Sequence, residues 1–76
     1  MAESLVRSLP ALYGLYVLIV EDASELGFSM QGLFLQHGAL GVDLRVSVDA
    51  ALERMQTTPY PDIVLLDYTL RVRQGS

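Results

Sequence analysis

Three carboxylates stand where chemistry can begin. Glu21 and Asp22 follow the apolar run "LYVLIV", and Asp67 follows "DIVLL". Each run has the length of a strand and ends abruptly on acid. If the two strands are neighbours in a parallel sheet, their loops open on the same sheet edge and the three carboxylates converge. Like charges that close repel unless something neutralises them. A hard divalent cation is the economical answer, because Mg²⁺ takes oxygen ligands, keeps several waters, and pairs one or two carboxylates with phosphate oxygens. Such a centre supports phosphoryl chemistry, with one carboxylate free to act as nucleophile. Taken singly, each acid is as readily a turn former or a helix cap. The pair after one strand and the single acid after another carry the reading together.

Bringing these acids together requires alternating strands and helices, and the chain has that pattern. Leu15 to Val20 is a continuous β-branched and aromatic run, as in a strand buried on both faces. A helix is predicted from about Ser24 to His37, with Leu26, Met30, Leu33 and Phe34 along its inner stripe and Gly38 placed to end it. Gly27 and Gly32 each weaken that helix by about 1 kcal/mol relative to alanine. Val42, Leu44 and Val46 alternate with Asp43, Arg45 and Ser47, which suits a half-buried strand at a sheet edge. Ser47 or Asp49 can cap a second helix through about Gln56, with Ala51, Leu52 and Met55 inward. "TTPYP" breaks it, "DIVLL" reads as a third strand buried on both faces, and "DYTLRVRQGS" reads as loop. The order is that of an α/β fold with an open parallel sheet, in which chemistry gathers beyond the carboxyl ends of the strands. Residues 1–14 read as an N-terminal arm or linker. Leu5, Val6, Leu9 and Leu12 are spaced for a short amphipathic helix interrupted at Pro10, and the second reading is that they cover apolar surface left bare elsewhere.

Composition narrows the function classes. The 76 residues suffice for one small core, but a domain of this size buries only about 60% of its unfolded surface. There is no cysteine, so no disulfide or thiolate site supplements that core, and a partner subunit is the expected supplement. Nine acids against five arginines give a net charge of −4, and no basic patch is present to track a phosphate backbone. Direct nucleic-acid binding is not expected. No apolar run approaches a membrane span and no signal-peptide pattern is seen, so a soluble cytoplasmic protein is expected.

The segments "VLIVED", the "AL" of "SVDAALERM" and "PDIVLLDYTLRVRQG" resemble the first half of a response-regulator receiver domain of two-component signalling. The resemblance runs from about Leu15 to Gly75, so residues 15–76 read as a truncated receiver domain. It implies a flavodoxin-like sheet cut to strand-helix-strand-helix-strand, with strand order 2-1-3. It implies Asp67 as phosphoacceptor and direct metal ligand, Asp22 as a direct ligand, Glu21 as a ligand through water, and Thr69 as a ligand through its backbone carbonyl. The implied cofactor is Mg²⁺, and the implied partner is a histidine kinase or phosphotransfer protein. Such a module is a phosphorylated signalling element and not an enzyme. Gly75 stands where receivers place the glycine of their third-strand loop, and the lead "SLPALYGLYVLIVED" is similar to the entry into a receiver behind a hybrid sensor kinase.

The departures sharpen the expectation. Arg71 takes the place of the usual proline after the acceptor. The Ser/Thr and Lys that hold the phosphoryl group in this family belong to strands that would lie beyond Ser76, the chain contains no lysine to take that place, and arginine is a poor stand-in for it. A module so truncated is expected to transfer phosphate poorly and to leave its third strand as an open edge. It would then act by pairing, as a homodimer through that strand or with an intact partner. An alternative remains, since "LLDYTLRV" also resembles the nucleophile motif of haloacid-dehalogenase-type phosphatases. His37, the sole histidine, falls at a helix end where a cation is favoured, and no catalytic role is assigned to it. Tyr60 and Tyr68 read as packing or loop residues, with Tyr68 beside the acceptor and able to shape access to it.

Overall fold

The computed structural model describes residues 12–67. The elements are β1 (Tyr16–Val20), α1 (Ser24–Gln36), β2 (Gly41–Arg45), α2 (Val48–Arg54) and β3 (Ile63–Leu66). The three strands form one parallel sheet in the order β2-β1-β3. This is an open α/β sheet with two helices, consistent with a truncated flavodoxin-like fold.

β1 is central and is the one described strand covered on both sides. Val17 and Ile19 face α1 and share a cluster with Leu12, Met30, Phe34, Ala39 and Val42. Leu18 and Val20 face the other way and pack with Ala51 of α2. Leu18 and Ile19 are completely buried. Leu12 is thus drawn into the core, as the covering role of the leading leucines requires, and its N–H donates to the His37 carbonyl at 2.9 Å. Leu5, Val6 and Leu9 lie outside the described residues.

α1 departs from the expected stripe. Leu26 is exposed, and the inner face is Gly27, Met30 and Phe34, with Leu33 packed partly against the core. Gly27 explains the difference, since a Cβ built there would stand 2.7 Å from Cδ1 of Leu44. The helix therefore lies close on β2 at its first turn, and a larger residue at that position would require the Leu44 side chain to move. Gly38 ends the helix as expected. With φ at +97°, it takes the left-handed conformation that favours glycine. Its N–H donates to Leu35 and the Ala39 N–H donates to Phe34, the bond pair of a Schellman motif. Ala39 and Phe34 then meet in the core.

Ser47 is the cap of α2, its hydroxyl accepting the Ala50 N–H at 3.1 Å, while Asp49 lies in the first turn. The helix ends at Arg54, short of Gln56, and only Ala51 is buried, whereas Leu52 and Met55 are exposed. The reason is coverage: α2 packs on β1 and β2 and α1 on β2 and β1, so neither helix reaches β3. β3 is accordingly not buried on both faces as its composition predicted. Ile63, Val64 and Leu66 are exposed and Leu65 alone packs partly against the core. Among the described residues β3 is thus an edge strand, paired with β1 alone. Val46 is likewise exposed, one residue past the end of β2.

Candidate metal centre

The acids meet because the sheet ladder runs one residue past each strand. Val20 is opposite Leu66 in the β1–β3 register, and the Asp67 N–H then donates to the Val20 carbonyl at 3.1 Å. On the other side, the Glu21 N–H donates to the Arg45 carbonyl at 2.9 Å. Backbone pairing thus fixes both acid-bearing loops at the carboxyl edge of the sheet. One carboxylate oxygen from each of Glu21, Asp22 and Asp67 lies within 4.8 Å of the others.

The three differ in surroundings. Glu21 is only 2% exposed, Asp67 is half-buried and Asp22 is exposed. Glu21 Oε2 accepts the N–H of Ala23 at 3.0 Å, which folds the loop back toward the start of α1. Burial pushes the Glu21 carboxyl above its ordinary pKa, the Ala23 N–H opposes that rise, and the neighbouring Asp67 and Asp22 carboxyls reinforce it. A proton or a cation is therefore favoured on this cluster. The donors are oxygen alone, with no histidine or cysteine among them, which suits a hard cation better than a soft one. The three acids could hold such a metal ion.

Of the residues expected at this site, the structure brings together Glu21, Asp22 and Asp67. Thr69 lies outside the described residues, as do Tyr68, Arg71 and Gly75. His37 caps the far end of α1, whose 13 residues span roughly 20 Å, and so stands apart from the acids. Tyr60 is exposed in the loop that leads to the opposite, amino edge of β3. Two contributors escape the pattern of acids after strands. The Ala23 N–H that binds Glu21 leaves no trace in sequence, since any residue but proline would provide it. Arg54 bonds Asp43 of β2 and the carbonyls of Thr57 and Pro59, fastening the α2–β3 loop to the sheet. Its spacing from Asp43 carries no signal that would have announced the pair.

No protein-family model, no curated protein and no solved structure matches this chain.

Proposed function

We propose that the chain is a receiver-type module of two-component phosphorelay signalling, with Asp67 as phosphoacceptor beside an Mg²⁺ site made with Glu21 and Asp22. One observation carries this reading: an acidic pair after β1 and a single acid after β3 come within 4.8 Å at the carboxyl edge of a parallel sheet ordered 2-1-3. The all-oxygen donor set and the buried, proton-favouring Glu21 fit a hard divalent cation. Bound Mg²⁺ would offset the charge of an incoming phosphoryl group. Asp67 supplies the nucleophile: a carboxylate oxygen bonds to phosphorus as the bond from phosphorus to a histidine nitrogen, or to a small donor's leaving oxygen, breaks. The electron pair of the broken bond departs with the leaving group. Glu21, held by the Ala23 N–H, and Asp22, exposed at the rim, would be the other two oxygen ligands of the cation.

Incubation with a small phosphodonor and Mg²⁺ should give an acid-labile mass increase that Asp67→Asn abolishes. Persistence of the adduct in that variant places the chemistry elsewhere and overturns the reading.

A pairing role for the same module is favoured by the contrast between the two sheet edges. β2 carries Asp43 and Arg45, the kind of charge that blunts an edge, whereas β3 is "IVLL" with three of its four side chains exposed. A second copy of the chain, or the sheet of a partner regulator or kinase, fits that uncharged edge.

A further inference from the structure

We infer that Asp62 is the positioning residue for the acidic centre, setting the register of β3 so that Asp67 arrives beside Glu21 and Asp22. The inference rests on the reading of those acids as a metal centre. Asp62 closes both main-chain groups of the residue that opens β1. Its Oδ2 accepts the Tyr16 N–H at 2.8 Å, and its own N–H donates to the Tyr16 carbonyl at 2.7 Å. The next pair along is Val17 with Ile63, and the ladder proceeds in step to Val20 with Leu66 and then Asp67. A clamp at the amino edge therefore decides which residue stands at the carboxyl edge, roughly 17 Å away at 3.3 Å per residue.

Side-chain packing does not make that decision for β3. A strand whose side chains alternate between core and solvent resists slippage, because a shift of one residue exchanges its faces. "IVLL" has no such alternation, and only Leu65 packs against the core. A slip of one residue would exchange one aliphatic for another at little cost in burial. It would also move Asp67 by about 3.3 Å and turn its carboxylate to the other face, away from the 4.8 Å cluster. Asp62 supplies the polar specification that the apolar residues lack. An acid is apt there because a charged acceptor makes a stronger bond to a backbone N–H than a neutral one does.

The test uses the full chain with Asp62→Ala, Asp62→Glu and Asp62→Asn. Mg²⁺ binding is read by calorimetry and amide hydrogen exchange by NMR. Asparagine keeps an accepting oxygen in place and should bind Mg²⁺ nearly as wild type does. Alanine and glutamate should lose Mg²⁺ affinity, because a displaced β3 takes the Asp67 carboxylate away from the other two acids. Exchange protection of the Asp67 amide should fall in those two variants while that of Val42 and Leu44 in β2 holds, which separates a displaced β3 from general loosening. If Asp62→Ala does not fold, the glutamate and asparagine variants decide. Full Asp67 protection in a folded alanine or glutamate variant overturns the inference, and so does an asparagine variant that loses protection or fails to fold. A wild-type chain that binds no Mg²⁺ refutes the metal reading instead, and the exchange pattern then judges the clamp on its own.

Discussion

Replacing Glu21 by glutamine should stabilise the metal-free chain, the reverse of what removing a buried, bonded carboxylate usually does. Glutamine keeps the shape and an oxygen to accept the Ala23 N–H, so the 3.0 Å contact survives. What disappears is a charge in a site only 2% exposed, within 4.8 Å of two other carboxylates. At that distance each like-charge pair costs about 1 kcal/mol in water-like surroundings and about 3 at an effective dielectric constant of 20. Asp22 is exposed and Asp67 half-buried, so the net gain is about 1–3 kcal/mol. A domain of this size shifts its Tm by about 4–8 °C for each kcal/mol. The gain must depend on pH. Because the folded state raises the Glu21 pKa above its ordinary 4.5, the stability that comes from holding that proton is fully present below the unfolded value and is lost as pH rises through the folded one. The variant and the wild type should therefore melt together in acid and diverge as pH rises. Mg²⁺ should narrow the gap, since a site at 100 times its Kd adds about 2.7 kcal/mol to the chain that binds it. Thermal melts followed by circular dichroism, with chelator and with Mg²⁺, give all of these differences. A glutamine variant less stable than wild type at neutral pH, with no change in the gap across pH, refutes the account of Glu21 as a charge held against its environment.

The two glycines of α1 should behave differently. Gly32 has open space around a built Cβ, so Gly32→Ala should gain about 1 kcal/mol of stability in a denaturation assay, while Gly27→Ala should gain less, because its methyl meets the Leu44 side chain at 2.7 Å and that side chain must shift to admit it. Val64→Glu should shift any self-association toward monomer several-fold in sedimentation velocity, because two copies paired along β3 would bring the new charges near each other. Unchanged association in that variant counts against the β3 edge as the contact.

Much of the scaffold was legible because the strongest local signals agree with the tertiary structure. "LYVLIV" is apolar without alternation and is buried on both faces, Gly38 ends α1, and Ser47 caps α2. The meeting of Glu21, Asp22 and Asp67 was legible for the same reason, since an acid one residue past a strand end has its place set by backbone pairing. What misled were positions decided by coverage. Leu26 and Leu52 fall at inward helical spacings, yet Leu26 gives way to a glycine that lets α1 approach β2, and Leu52 projects from a helix that stops short of β3. β3 has the composition of a buried strand and is exposed for the same reason. Periodicity shows which side chains could face a core, and only the reach of the neighbouring elements shows whether a core is there.

β3 is therefore held differently from β1. Four aliphatic residues contribute little burial to it, and the side-chain oxygen that fixes its amino end belongs to Asp62. At the carboxyl end stands Asp67, whose backbone continues the ladder while its carboxylate opposes Glu21. Without a cation, the charge cluster works against the pairing that creates it. A cation shared by the three acids would reverse that sign and draw the end of β3 onto β1. Metal occupancy and β3 order would then be one equilibrium, and a partner paired with the β3 edge would also strengthen the centre.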